Sequence, residues 1–133
     1  MAEPTRGVLD TSVLIDIDVI DPERLPDETA VTAVTLAELA AGPHATADDQ
    51  ERARRQDRLQ WVASIWQALP FDEDAARMYG RVFAAVRAAG RATTPRLADL
   101  LIASTAAARG LPLYTRNAKD FEGLEEVVVV KAV

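Results

Sequence analysis

Four acidic residues in this sequence stand where an ordinary surface charge would not. Asp10 ends the short apolar run Gly7-Val8-Leu9-Asp10 and is followed by Val13 and Leu14, so its carboxylate is held at the edge of a core. Glu38 lies in Thr35-Leu36-Ala37-Glu38, Asp99 in Leu97-Ala98-Asp99-Leu100-Leu101-Ile102-Ala103, and Asp120 in Thr115-Arg116-Asn117-Ala118-Lys119-Asp120-Phe121. Donors that are all oxygen suit Mg²⁺ or Mn²⁺ rather than zinc or copper. The sequence has no glycine-rich phosphate loop, no Ser-His-Asp set and no HExxH motif. What remains for such a cluster is metal-assisted attack of water on a phosphoester.

Each of the four also has a plainer reading. Asp10 suits the positive end of a helix dipole. Glu38 stands three residues after Thr35 and closes a capping box, a role compatible with reaching a metal. A lone charge at Asp99 would cost several kcal/mol in a helix buried on all sides unless it were paired or metal-bound. Arg96, three residues earlier, is the candidate partner for a purely structural Asp99. Asn117 and Asp120 form an Asn-x-x-Asp capping pair. His44, the sole histidine, sits in a Gly-Pro-His turn and reads as a surface residue.

The elements that must position these groups follow from periodicity and punctuation. Gly7–Asp10 reads as a strand, and Ser12 as the cap of a helix running through Ile15 and Ile17 to about Ile20. The β-branched stretch Thr29–Val34 predicts a second strand, and Thr35 starts a helix that ends at Gly42-Pro43. A helix over about Asp48–Gln67 has an unusually wide apolar arc, with Leu59, Val62, Ala63 and Trp66 on one stripe and Trp61 and Ile65 outside it. Two placements fit that arc: burial between the fold and a partner chain, or wedging between two helices of the same domain. Asp72–Ala89 predicts a one-sided helix through Met78, Tyr79, Val82, Phe83 and Val86. Thr94-Pro95 opens a helix over Arg96–Arg109 that is apolar almost all round, the expected central helix. Leu111–Thr115 and the valine-rich Glu126–Lys131 predict two closing strands in a buried sheet. Strands alternating with helices predict a three-layer α/β fold with a mainly parallel sheet, which places Asp10, Glu38 and Asp120 at its carboxyl edge with Asp99 rising toward them.

At 133 residues the chain is expected to form one domain, spanning residues 1–133. Cysteine is absent, which excludes disulfides, zinc–thiolate sites and thiol catalysis. No apolar run approaches the roughly 20 residues of a membrane span, and Met1–Gly7 lacks the apolar stretch of a signal peptide, so a cytoplasmic protein is expected. The net charge of −6 argues against gripping nucleic acid through bulk positive charge. The objection weakens if the excess acid is gathered at a metal site whose ions face the phosphates.

Val8-Leu9-Asp10-Thr11-Ser12-Val13-Leu14-Ile15 resembles the opening motif of PIN domains. Glu38 in Thr-Leu-Ala-Glu-Leu, Asp99 in Leu-Ala-Asp-Leu-Leu-Ile-Ala, and Thr115-Arg116-Asn117 with Asp120-Phe121 resemble the later three motifs, in order and over nearly the whole chain. The compact length is similar to that of the VapC toxins of VapBC modules. The resemblance implies a PIN-like α/β/α sandwich and an endoribonuclease dependent on Mg²⁺, or Mn²⁺ in its place, with Asp10, Glu38 and Asp99 as metal ligands. Asn117 stands where many PIN domains carry a carboxylate, so the resemblance gives the fourth acidic role to Asp120. Thr11, Ser12 and Asn117 would orient the ligands or the attacking water. Arg91, Arg96, Arg116 and Lys119 flank the acidic positions in sequence and either steer RNA or are ordinary surface charges. The resemblance further implies a homodimer silenced by a cognate antitoxin, for which the arc with Trp61 and Ile65 is a candidate surface.

Two rival readings predict different chemistry. A metal-dependent phosphatase or phosphoacceptor domain would use Asp10 as nucleophile and needs a lysine at the carboxyl edge, where only Lys119 and Lys131 are on offer. A non-cleaving RNA-binding module has no need to keep Asp10, Glu38 and Asp99 together.

Overall fold

The computed structural model describes residues 2–133, so Met1, the first residue of the predicted polar N-terminus, lies outside the described residues. Four strands, β1 (Arg6–Leu9), β2 (Glu28–Ala30), β3 (Leu113–Thr115) and β4 (Val130–Ala132), form one sheet in the order β2-β1-β3-β4 among the described residues. Every pairing is parallel. The helices are α1 (Thr11–Ile15), α2 (Ala33–Ala41), α3 (Asp49–Ile65), α4 (Glu73–Ala88) and α5 (Leu97–Ala108), joined in places by single 3₁₀ turns.

The two-residue period of a strand divides the core into two layers. Val8 and Leu113 point to one face and pack with Val82 and Val86 of α4 and Leu100, Ile102, Ala103 and Ala106 of α5. Their neighbours Leu9 and Tyr114 point to the other face and pack with Val13 and Leu14 of α1, Leu39 of α2 and Val62 of α3. The result is the expected α/β/α sandwich. Gly7 is required by that arrangement, since a Cβ there would overlap the Tyr114 ring. No helix of the described residues is long and apolar enough to cross a membrane.

Several boundaries differ from the sequence expectation, each for a local reason. The helix after Asp10 stops at Ile15, and single 3₁₀ turns at Ile17–Val19 and Pro22–Arg24 carry the chain onward, burying Ile20 without continuous helix. Strand β2 ends at Ala30 rather than Val34, because Thr32 accepts a hydrogen bond from the Thr35 amide at 3.1 Å and starts α2 early. Beyond that point Thr32 pairs with Leu69 instead. Thr94 caps nothing; a 3₁₀ turn over Thr94–Arg96 leads into α5 without a side-chain cap. Strand β4 begins at Val130, not Glu126, because the Leu124 carbonyl takes the amides of Val127 and Val128 into a turn. It also lies at the sheet edge with exposed residues, so its valine run does not mark a fully buried strand.

Candidate active site

The sheet order reverses between β1 and β3, and in open parallel sheets ligands bind at such a switch point, beyond the carboxyl ends of the strands. Asp10 stands there. Its amide bonds the Tyr114 carbonyl at 3.0 Å, and its side chain caps α1 by accepting from the Val13 amide at 3.1 Å. Ser12 is therefore not the cap. Its hydroxyl donates to Asp10 Oδ1 at 2.5 Å and accepts from the Arg116 amide at 3.1 Å, tying the ends of β1 and β3 together. Burial raises the Asp10 carboxyl above its ordinary value, opposed by the hydroxyls of Ser12 and Thr115 and the amides of Val13 and Ser12.

Glu38 does not close a capping box either, because Thr32 is the cap and Glu38 falls in the second turn of α2. Its carboxylate instead accepts the Thr11 hydroxyl at 2.6 Å, and Thr35 Oγ1 lies 3.1 Å from Thr11 Oγ1. Thr11 and Thr35 thus fasten α2 to α1 across the site.

Asp99 sits in the first turn of α5, half-buried rather than enclosed on all sides. Among the described residues its carboxylate forms no hydrogen bond and no ion pair. Burial, and then the charges of Asp120, Glu38 and Asp10, push its carboxyl up to about 6, with Arg96 opposing them. Arg96 does not pair with Asp99. Its guanidinium lies 3.9 Å from the Asp120 carboxylate and donates to the Asp120 carbonyl at 3.2 Å. Asp120 rides on the 3₁₀ turn Ala118–Phe121, which Asn117 enters without a side-chain capping bond.

Asp10, Glu38 and Asp120 therefore all act electrostatically on Asp99, but they do not form a closed chelate. Among the described residues no group of three acidic or histidine side chains stands close enough to share one ion. Thr11 restrains Glu38, Ser12 restrains Asp10, Arg96 restrains Asp120, and like charges repel across the space between. The donor set still fits a divalent hard cation: every group is a carboxylate, and Asp99 is a raised, half-buried anion with no protein partner.

The four cationic residues singled out in the sequence surround this edge, and three serve as fasteners. Arg91 donates to the carbonyls of Lys119 and Glu122 at 2.7 and 3.1 Å, which holds the turn carrying Asp120. Arg116 pairs with Asp16 at 3.4 Å and donates to the Val133 carbonyl at 3.5 Å. Lys119 is exposed. His44 lies in the 3₁₀ turn Gly42–Ala45, as a surface residue. Sequence reasoning missed Thr35 and Thr115, both fully buried hydroxyls at the ends of elements that meet at the site. For Thr115, a threonine closing one strand beside an aspartate directly after the neighbouring strand was the available signal.

A PIN domain model matches residues 7–126. The chain is 41% identical to Ribonuclease VapC5 of Mycobacterium tuberculosis over 98% of its own length and 96% of that protein's. Ribonuclease VapC8 of the same species is 36% identical over 75% of this chain and 89% of its own. The crystal structure of VapBC-5 from Mycobacterium tuberculosis, a member of the VapBC family of toxin–antitoxin systems, superposes with a TM-score of 0.84 at 42% identity, covering 98% of both chains. With the parallel sheet, its switch-point aspartate and these relatives together, the chain belongs to the PIN-domain family, within its VapC ribonuclease branch.

Proposed function

We propose that this protein is a Mg²⁺- or Mn²⁺-dependent endoribonuclease and the toxin of a type II toxin–antitoxin module. The observation that carries the reading is Asp99: half-buried, without a protein partner, and raised by burial and by three carboxylates from other segments. A structural aspartate would be paired or solvated. An aspartate raised by three other acids, in a family of ribonucleases, supports reading it as a carboxylate that holds a cation against a phosphodiester.

Asp10, Glu38 and Asp99 would hold the ion, with Asp120 completing the acidic wall. When bound, the ion lowers the pKa of water and neutralises charge developing on phosphate. The chain's own groups set the geometry. Ser12 holds the Asp10 carboxylate, Thr11 aims Glu38, and Arg91 and Arg96 keep the Asp120 turn against α5. Arg116 and Lys119 remain the candidates for steering RNA at the mouth.

The phosphoacceptor alternative has less support, since Asp10 Oδ1 is taken by Ser12 and Val13, Lys131 lies on the edge strand β4, and Lys119 is exposed on the turn that carries Asp120. The VapBC-5 relative belongs to a toxin–antitoxin system, and an antitoxin partner is carried over to this chain on that likeness. Trp66 turns inward, its indole donating to Thr29 Oγ1 at 3.0 Å, while Trp61 and Ile65 are left exposed. That supports the reading of the wide arc on α3 as a face for a partner chain, either the antitoxin or a second copy.

The test is cleavage of a mixed transfer- and ribosomal-RNA pool with Mg²⁺ or Mn²⁺ by the wild type and by Asp99→Asn. Discrete cuts abolished in the variant are expected. A folded wild type that cuts no RNA under either metal overturns the reading.

A further inference from the structure

Beside the acidic cluster, and sharing Thr11 and Glu38 with it, a groove of about 520 Å³ opens between α1, the end of α2 and α3. Its volume falls in the range of ligand pockets, roughly 300–1,000 Å³. Its floor is apolar, from Ile15 and Leu39, and its far wall carries Arg54, Arg55 and Arg58. In a chain of net charge −6, three arginines on one helical face are a local reversal of sign.

The three are held rather than free. Glu51 accepts from Arg54 at 2.7 Å and from Arg55 at 3.3 Å, while Arg55 also reaches the Gly42 carbonyl at 2.8 Å. Arg58 lies 3.5 Å from Asp18 and covers the Trp61 ring at 5.6 Å. Glu51 is the one acid among the groove-lining residues of α3, so that wall stays cationic, while Glu38 stands on α2 and the exposed Asp18 pairs with Arg58 from outside the lining. Leu39 directly follows Glu38 on α2, so the groove's apolar lining begins beside the carboxylates.

We propose that this groove is the subsite for the nucleotide next to the scissile phosphate, with an unstacked base over Ile15 and Leu39 and the adjoining phosphates on Arg54 and Arg58. The assignment rests on the ribonuclease reading. It gives an acidic protein one place to hold a polyanion: three arginines of α3 gathered in one groove, two of them held by Glu51. Arg54 and Arg58 are here positioning residues, which touch the substrate away from the bond that breaks.

The experiment measures binding and cleavage of a short, mixed-sequence, fluorescein-labelled single-stranded RNA. In the wild-type background, the Arg54→Gln, Arg58→Gln pair is expected to raise KM by about tenfold with kcat within about twofold, because phosphate interactions contribute to binding alike in ground and transition states. The slope of log binding constant against log salt should become shallower by about 0.7 for each phosphate that is no longer neutralised. The same weakening should appear in anisotropy with Asp99→Asn as the common background, where no cutting occurs. Arg54→Gln alone, which removes only the two bonds to Glu51, covers the case in which the pair fails to fold. Unchanged KM and salt slope in these variants, with cleavage still abolished by Asp99→Asn, overturn the subsite and leave the nuclease standing. Unchanged RNA binding together with weakened association to a partner helix would assign the groove to a protein instead and also overturn it. Absence of RNA binding and cutting by the wild type would remove the reading on which it rests.

Discussion

The Thr11 hydroxyl donates to Glu38 Oε1 over 2.6 Å, a bond between the first turn of α1 and the second turn of α2 that sets where the Glu38 carboxylate can go. Groups that orient a metal ligand in this way are worth about 10- to 100-fold in affinity or activity. Thr11→Val should therefore lower RNA cleavage by about that factor at limiting Mg²⁺, while Thr11→Ser should retain most of it. Cleavage rates across a Mg²⁺ titration check this. A valine variant with wild-type metal dependence would show that Glu38 needs no such restraint.

Asp99 is a source of instability in the metal-free protein. Its folded pKa of about 6 lies above the ordinary 3.8, so the fold disfavours the ionised form. The sign follows: stability is greatest where Asp99 is protonated and declines as pH rises from about 4 to about 6, after which the penalty is constant. Asp99→Asn should raise the metal-free Tm at pH 7 by a few degrees, corresponding to about 1 kcal/mol after screening of a half-exposed group, and leave it unchanged near pH 4. Mg²⁺ should raise the wild-type Tm and not that of the variant. Thermal scans at the two pH values, with and without the ion, decide it.

Asp10 combines a structural and a chemical role that two substitutions can separate. Asparagine still accepts from the Val13 amide as a helix cap but carries no charge, whereas alanine does neither. Both variants should be inactive. Asp10→Ala should also lose about 1–2 kcal/mol of stability, and Asp10→Asn little or none. Denaturant midpoints read alongside cleavage give the comparison, and retained activity in either variant would remove Asp10 from the site.

Gly7→Ala tests the sheet on which Asp10 stands. The added Cβ meets the Tyr114 ring, and overpacking of this kind typically costs about 1–3 kcal/mol. The expected result is a lowered unfolding midpoint with cleavage retained at temperatures where the protein is folded. A midpoint equal to wild type would mean that Tyr114 has another place to go.

Asp10 and Asp99 are visible in the sequence because each is an ionisable residue set among apolar neighbours, and the cost of that placement is a general physical fact. The parallel sheet is visible for a similar reason, since Val8, Leu9, Leu113 and Tyr114 are apolar whichever face they serve. Glu38 is legible as a candidate, but with the wrong local role. Thr32 and Thr35 are equally good caps by residue type, and only the packing of Val31 and the pairing of Thr32 with Leu69 decide between them. Spacing along one helix offers Arg96 to Asp99 and does not reveal Asp120, which a turn folds back from 24 residues away. The arginine wall of α3 is not legible at all. Arg54, Arg55 and Arg58 look like any solvated helix face until α1 and α2 are laid beside them.

The bond from the Arg116 amide to Ser12 Oγ spans 104 residues of sequence, and the pairing of β1 with β3 that permits it joins the two ends of the chain. A fragment made of the first hundred residues cannot build the acidic pocket, because it lacks β3 with Thr115 and the turn that carries Asp120. Domains form as units during translation, and pairings this distant form only once both segments have been made. A growing polypeptide is thus without its acidic pocket until Thr115 and Asp120 have been made.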